Sequence, residues 1–243
     1  MTCHIVLRFD APLMSFGGAA IDAERTTNDV PGSSMLTGLL ANALGLERTD
    51  HERLDRLQAR LRYASMFERF GERIVDFQTV DLGQAHLVET GWTTSGRVER
   101  RGKGEATRGT HIRMRHFLVD AVVLVACALE NEIESPTLRE VAAALVAPER
   151  PLFLGRKSCV PSTPLLVGLF ESSTLVDALT MAAPSPRREG DSHVAFWPEG
   201  DGPEDATSIP IIIRDRREHR NQVHSGQRVV RRGTLRSVRE LAS

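Results

Sequence analysis

The alternation of apolar and polar positions predicts the first elements of the chain. HIVLRFD (4–10) alternates between apolar and polar positions, which is typical of a strand. In SSMLTGLLANALGL (33–46) the apolar residues recur instead at helical spacing, on one face. Ser33 or Ser34 can cap the start of this helix, and Gly45 can end it.

A second helix and two strands are predicted next. HERLDRLQARLR (51–62) follows Asp50, a favourable N-cap residue, and spaces its leucines for one helical face. Residues 62–70 and 73–80 are rich in β-forming residues, and Gly71 between them predicts a turn.

The middle of the chain departs from this regular pattern. Residues 83–112 lack an apolar face and are rich in Gly, Thr, Arg and His, which predicts a long excursion whose tip does not pack on the core. MRHFLVDAVVLVACAL (114–129) then predicts one long strand, buried from Leu118 onward. The apolar run 118–129 is too short to span a bilayer and contains Asp120, so no membrane partner is expected.

The remaining pattern predicts shorter elements. Ser135, followed by Pro136, is a favourable helix start. In order, the sequence predicts a helix at 136–147, a strand at 164–170, a helix at 173–183, a loop at 184–208 around HVAFW, and a strand at 209–213.

The order of these elements predicts an α+β fold. The first 170 residues follow the order βαββαβ, which is typical of a ferredoxin-like or RRM domain with a four-stranded sheet set against two helices. We expect this domain at 1–171, with an insertion at 83–115, and a C-terminal extension at 172–243 packed on it that ends in a basic tail at 214–236. An unrelated α+β domain is the alternative.

Charge is unevenly distributed along the chain. The formal net charge is −1, but residues 97–115 carry +5 and residues 214–236 carry +6, which leaves −12 for the rest. Lys103 and Lys157 are the only lysines, so nearly all positive charge is arginine. A GC-rich genome would give that bias, but the planar arginine fork also suits phosphates and bases. Two basic segments in an otherwise acidic chain favour a nucleic-acid partner over a merely solvated face.

Cysteines and histidines give no sign of metal chemistry. The three cysteines are widely spaced and unpaired in pattern, so no metal or cofactor site is predicted, and reduced thiols favour a cytoplasmic location. No signal peptide is visible. His219 and His224 lie in the basic tail and are expected to be exposed.

One short loop is the strongest candidate for anion binding. PLFLGRKSCVPSTPLLVG (151–168) places Gly155, Arg156, Lys157 and Ser158 between two apolar runs. Glycine allows a positive φ or a close approach to a ligand, and successive amides with two cations can cradle a phosphate. An ordinary helix-to-strand loop, with glycine as a turn residue, is the alternative.

An ordered set of motifs resembles the CasD family of CRISPR-associated RAMP proteins, which belongs to the type I-E Cascade complex. The motifs are LRFDAPLMSFGG (7–18), ERTTNDVPGSSMLTGLLANALGLER (24–48), DFQTV (76–80) and PLFLGRKSCVPSTPLLVG (151–168). Within them the matching positions are Pro12, Phe16-Gly17, Arg25 and Thr27, Pro31, Gly38 to Gly45, and Phe153 to Cys159. The order and spacing run through most of the first 170 residues, while the last 70 match mainly in arginine content.

The resemblance implies a modified RRM fold with a protruding β-hairpin thumb, for which residues 83–115 are the candidate. It implies a non-catalytic subunit that holds the 5′ handle of CRISPR RNA, beside the backbone subunit CasC and the large subunit CasA, in a complex that binds target DNA. The RNA-binding residues expected from motif and charge together are Arg25, Arg97, Arg100, Arg101, Arg113, Arg115, His116, Gly155, Arg156, Lys157 and Ser158.

Two other functions remain open from the sequence. One branch of the same family is a metal-independent endoribonuclease, and His116 beside Arg115 has the chemistry for an acid or base next to a phosphate-stabilising cation. A generic RRM-like RNA-binding protein outside CRISPR systems is the other.

Overall fold

The computed structural model describes residues 1–18, 20–21, 23–81, 90–92, 98–100, 109–183, 192–205 and 208–236. The helices in these ranges are α1 (Ser33–Ala43), α2 (His51–Arg60), α3 (Leu138–Val146) and α4 (Leu175–Ala182). The strands are β1 (Thr2–Asp10), β2 (Leu13–Met14), β3 (Ala20–Ile21), β4 (Glu24–Arg25), β5 (Leu61–Arg69), β6 (Glu72–Asp81), β7 (Thr90–Trp92), β8 (Val98–Arg100), β9 (Thr110–Val119), β10 (Val122–Leu129), β11 (Leu166–Ser172), β12 (Ser192–Trp197), β13 (Ile209–Glu218) and β14 (Val223–Arg236). No helix in the described ranges has both the length and the apolar character needed to cross a bilayer.

A seven-stranded antiparallel sheet organises the described chain, in the order β11-β1-β10-β5-β12-β14-β13. Helices α1 and α2 connect β1 to β5, and α3 connects β10 to β11. A second sheet runs in the order β2-β9-β4-β3, with β6 paired to β9. The predicted mixed α+β class is confirmed. Strands β12 to β14, which follow residue 171, extend the central sheet itself.

Helices cover both faces of the central sheet. On one face α1, α2 and α3 enclose a core with Leu7, Phe9 and Val125, all fully buried. On the other, α4 packs on a second cluster that includes Val6 and Leu124. The expectation of a sheet set against helices on one side is therefore incomplete. An RRM stacks bases on the open face of its sheet, and in this chain α4 occupies that face.

The prediction of a single strand at 114–129 is wrong, because the chain forms two strands there, β9 and β10. Strand β9 ends at Val119 and pairs with β6 in the second sheet, whereas β10 begins at Val122 and pairs with β1 and β5. Between them Asp120 has a φ of 54°, which interrupts the extended backbone. This turn carries the chain from one sheet to the other.

The prediction of a loop around HVAFW is also wrong, because Ser192–Trp197 forms strand β12, which pairs with β5 and β14. Phe196 is buried in the first core cluster and Trp197 in the second. The strand therefore buries side chains on both faces, which removes the alternation by which a strand is recognised.

The segment predicted as a basic tail forms most of the β13–β14 hairpin at the edge of the central sheet. Ile211 and Ile213 pack against the first core cluster, while Ile212 and Arg214 between and beside them are exposed. The charge of this segment is thus carried by strands with one buried face.

The buried carboxylate of Asp215 joins this hairpin to the start of α1. It accepts hydrogen bonds from the Ser33 amide at 2.9 Å, from the Tyr63 hydroxyl at 3.1 Å and from the Arg228 guanidinium at 2.9 to 3.1 Å. Arg228 also donates to the Tyr63 hydroxyl and stacks over its ring, 4.3 Å from the centroid. The predicted capping of α1 by a serine side chain is wrong, because Gly32 is the N-cap residue and Asp215 binds the helix amide from another element.

The start of α3 differs from its prediction in the same way. Thr137, rather than Ser135, is the N-cap residue. Its hydroxyl accepts from the Glu140 amide at 3.3 Å, and the Glu140 carboxylate accepts from the Thr137 amide at 2.6 Å. This reciprocal capping box fixes the first turn two residues later than predicted.

The turn of the β13–β14 hairpin is docked on α2. The Gln58 side chain donates to the Arg217 carbonyl at 2.8 Å and accepts from the Arg217 amide at 3.0 Å. His219 is buried, and its ring Nδ1 lies 2.6 Å from a carboxylate oxygen of Asp55. The expected exposure of His219 is therefore wrong, while His224 is exposed as expected.

We expect Asp215→Asn to lower the free energy of unfolding by about 3–5 kcal/mol, because it leaves the Arg228 charge buried without a counter-charge. Urea denaturation measures this change. Glu132→Gln is the control, since Glu132 is exposed, and its effect should stay within about 0.5 kcal/mol. Equal stability of the two variants would contradict this role for Asp215.

Candidate nucleic-acid interface

A groove of about 1490 Å³ lies along α1. Residues 15–18 and the 153–157 segment line one part, together with Arg25 and Arg115. The β13–β14 hairpin lines another part, and α1 with the segment before it contributes between them. Small-molecule pockets usually have volumes of about 300–1,000 Å³. The size of this groove therefore suits a segment of a polymer better than a small ligand.

Gly155 is placed where only a glycine fits. Its φ is 107°, and an added Cβ would lie 1.7 Å from the carbonyl oxygen of Ser15. The Ser15 amide donates to the Leu154 carbonyl at 3.1 Å, which holds the two backbones together. The sequence-based expectation of a positive φ at this glycine is confirmed.

The rest of the loop closes on itself around buried anchors. The Leu154 amide donates to the Cys159 carbonyl at 2.8 Å, and the Cys159 amide donates to the Arg156 carbonyl at 2.9 Å. Leu154 and Cys159 are fully buried, whereas Lys157 and Ser158 are exposed at the tip. The loop thus presents one cation to solvent on a rigid base.

Arg156 is half-buried and connects the loop to two strands. Its guanidinium donates to the carbonyl of His116 and to that of Arg25, both at 2.9 Å, and it lies 4.7 Å from the centroid of the Phe117 ring. Burial, with the neighbouring charges of Arg115 and Arg25, lowers its pKa. Arg156 therefore positions the loop against the second sheet, in addition to lining the groove.

Arg25 and Arg115 are neighbours because β4 and β9 are parallel and pair these two residues. The Arg115 Nε donates to the Gln78 side chain at 2.9 Å, which leaves its other guanidinium nitrogens for a ligand. Both side chains line the groove. Their pairing puts two cations side by side next to the loop.

Two other predicted residues of β9 do not line this groove. Arg113 donates to the carbonyl of its neighbour Ile112 at 2.9 Å. His116 is half-buried, and its Nε2 lies 2.8 Å from a carboxylate oxygen of Glu24. The structure thus brings together Arg25, Arg115 and the 155–158 loop, and sets Arg113 and His116 apart from the groove.

The predicted thumb is described only in part. Strands β7 and β8 form an antiparallel pair, with Thr90 opposite Arg100 and Trp92 opposite Val98. Arg97 and Arg101 lie outside the described residues, and Arg100 is described for its backbone alone. Residues 110–115, predicted as the end of the insertion, belong to β9.

Sequence motifs missed the contribution of the C-terminal hairpin to the groove. The lining residues that it supplies include Arg214, Arg217, His224, Gln227 and Arg232. The net charge of +6 over residues 214–236 was the signal that pointed to them. A charge count cannot say which arginines face the 155–158 loop.

The groove is strongly electropositive. Six arginines and one lysine contribute cations to its lining, namely Arg25, Arg115, Arg156, Lys157, Arg214, Arg217 and Arg232. The two carboxylates in the lining are already paired, Asp29 with Arg73 and Asp215 with Arg228. Such a concentration of one charge in a concave surface favours a polyanion.

Comparison with known proteins gives consistent matches. The family model described as "CRISPR-associated protein (Cas_Cas5)" matches residues 4–231. The "CRISPR system Cascade subunit CasD" of Escherichia coli (strain K12) is 29% identical over 180 residues, covering 74% of this chain and 76% of that protein. A chain of a solved "CRISPR RNA-guided surveillance complex" superposes with a TM-score of 0.68 at 26% identity, covering 96% of this chain and 90% of that one. A second structure, "Crystal structure of Cas protein", gives a TM-score of 0.60 at 25% identity, covering 96% and 95% of the two chains.

We expect Gly155→Ala to destabilise the protein more than Gly200→Ala does. Gly200 also has a positive φ, of 83°, but a Cβ added there would meet no atom within 4 Å, so its substitution costs only the backbone strain of about 1–2 kcal/mol. The difference between the two free energies of unfolding isolates the clash with Ser15. Limited trypsin digestion should also cut faster after Lys157 in Gly155→Ala, since its loop is displaced. Equal effects of the two variants would show that the close approach has no cost.

Proposed function

This chain belongs to the Cas5 family of CRISPR-associated proteins, and we propose that it is a non-catalytic Cascade subunit that binds the 5′ handle of CRISPR RNA. The family resemblance deduced from its motifs is confirmed. The observation that carries the proposal is the cationic groove, which gathers Arg25, Arg115 and Lys157 beside the loop that Gly155 anchors. Single-stranded RNA brings the closely spaced negative charges that such a surface binds.

The 155–158 loop and the strands β4 and β9 bind different phosphates of the RNA. In this proposal Lys157 and the amides of Gly155 and Ser158 contact one phosphate, and Arg25 and Arg115 contact its neighbours along the strand. Arg156 holds the loop in place through two carbonyls and adds positive charge behind it. The partly exposed side chain of Phe153, in the same lining, offers a surface for a splayed base.

The ferredoxin-like assignment and the thumb belong to the same proposal. The strand order β11-β1-β10-β5, with helices after the first and third strands of the unit, supports a βαββαβ arrangement. The β7–β8 pair supports a hairpin within the insertion. A cytoplasmic location and the roles of Arg97, Arg100 and Arg101 stay predictions.

The second sheet supplies a surface for neighbouring subunits, for which CasC and CasA are the proposed partners. Val75, Phe77 and Ile112 lie on one face of the β6–β9 pair and are 52%, 61% and 44% exposed. Large apolar side chains grouped on a surface are typical of protein contacts. Contact with target DNA is proposed through the assembled complex.

We expect Lys157→Ala and Arg25→Ala to weaken binding of RNA that carries the handle. For single-stranded RNA each lost phosphate contact should reduce the slope of log K against log salt concentration by about 0.7. Filter binding or fluorescence anisotropy over a salt series measures both quantities. Arg139→Ala is the control, because Arg139 is an exposed arginine on α3 outside the groove. Affinities unchanged in both groove variants would overturn the proposed site.

We also expect the protein to leave precursor CRISPR RNA intact. His116, the candidate acid or base, is engaged with Glu24 and does not line the groove. Incubation of end-labelled precursor with the full chain, followed by gel analysis, tests this. Cleavage that His116→Ala abolishes would favour the endoribonuclease instead.

A further inference from the structure

We propose that Arg217, Arg48 and His224 form a second phosphate-binding site at the turn end of the β13–β14 hairpin. This site binds the RNA backbone at a place separate from the 155–158 loop. Arg217 and His224 line the groove, and Arg48 lies beside Arg217 in the connection between α1 and α2. The inference rests on the proposed RNA-binding function and assigns a role to the hairpin within it.

The two guanidiniums converge on one neutral acceptor. The side-chain oxygen of Gln222 accepts from the Arg48 Nε at 3.0 Å and from an Arg217 terminal nitrogen at 2.8 Å. The amide nitrogen of Gln222 donates to the His219 carbonyl, which fixes its oxygen toward the two arginines. Two positive charges are therefore held close together by a group that carries no charge to balance them.

Nearby carboxylates are committed elsewhere. Among the described residues no carboxylate forms an ion pair with Arg48 or Arg217, although Arg228 on the same hairpin is paired with Asp215. Both carboxylate oxygens of Glu218 accept from the Asn221 side chain, at 2.9 and 2.8 Å. The positive charge at this end of the groove is thus uncompensated, which favours a bound anion.

The microenvironment of Arg217 supports the same conclusion. Its Nε is buried and has no hydrogen-bond partner in the described structure. Burial and the charge of Arg48 lower the pKa of Arg217, and burial and the charge of Arg217 lower that of His224. An anion at this position would offset the repulsion between the two guanidiniums and would favour the protonated form of His224.

A phosphate of the same RNA strand is the anion that the geometry favours. A guanidinium presents a planar fork that matches phosphate oxygens. Arg217 and His224 share a continuous groove with Lys157 and Arg25, so one RNA backbone would meet the cations of both sites. His224 can add a hydrogen-bond donor in its neutral form. The two hydrogen bonds between Gln58 and the Arg217 backbone fix this strand before RNA binds, which reduces the entropy lost on binding.

The test uses the full chain and a single-stranded RNA that carries the handle. We expect the double variant Arg48→Gln/Arg217→Gln to lower the slope of log K against log salt concentration by about 0.7 for each lost contact, and so to weaken binding most at low salt. Arg220→Gln is the matched control, because Arg220 is an exposed arginine of the same turn that does not line the groove. An equal loss in the control would overturn the inference, since general charge would then explain it.

A second variant separates binding from folding. Gln222→Glu places a carboxylate between the two guanidiniums and should raise or preserve the melting temperature while weakening RNA binding, because the new charge occupies the site. A purely structural role for the cluster predicts unchanged affinity for this variant, and that result would overturn the inference.

The outcomes distinguish this inference from the function on which it rests. If Lys157→Ala weakens RNA binding while the hairpin variants bind as the wild type does, the second site is wrong and the proposed function stands. If the hairpin variants bind RNA normally but fail to join the other Cascade subunits, the cluster is a protein contact and the inference is wrong. If the wild-type chain does not bind the RNA at all, both fail.

Discussion

A charge buried away from water must be balanced by its surroundings, and the carboxylate of Asp215 imposes that requirement on this fold. It is 4% exposed and is satisfied by a helix amide, a tyrosine hydroxyl and a guanidinium that come from three separate elements. Each of these partners depends on the others, since Arg228 and Tyr63 also contact each other. The position of α1 relative to the β13–β14 hairpin is fixed by this arrangement, and so is the groove between them.

A second set of backbone contacts fixes the other side of the groove. Gly155 lies against Ser15 with no room for a side chain, and Arg156 reaches the carbonyls of His116 and Arg25. The cations that line the groove are therefore mounted on rigid segments, although exposed side chains such as that of Lys157 can adjust to a ligand. Rigid placement of like charges has an energetic cost in the free protein, which a bound polyanion removes.

Local patterns predicted the elements whose signals are local. The alternation of apolar and polar positions in 4–10 and the helical spacing in 33–46 correspond to β1 and α1, and the glycine of the 155–158 loop has the positive φ expected of it. The sequence could not show that Ser192–Trp197 is a strand, because side chains buried on both faces leave no alternation. It also could not show that Ser33 meets Asp215, since the two are 182 positions apart and their contact depends on the whole sheet. For the same reason the sequence could not show which residues of the hairpin line the groove. The net charge of 214–236 indicated only that this segment is basic.

The long separation of Asp215 from α1 has a consequence for how the protein is made. The ribosome releases the strands and helices of the first 170 residues before β13 and β14 exist, and domains begin to fold during synthesis. Until the hairpin emerges, the start of α1 lacks the carboxylate that binds it, and the groove lacks one of its sides. A nascent chain therefore exposes the Gly155 loop before the groove is complete, so any ligand that needs both sides of the groove must wait for translation to pass the hairpin.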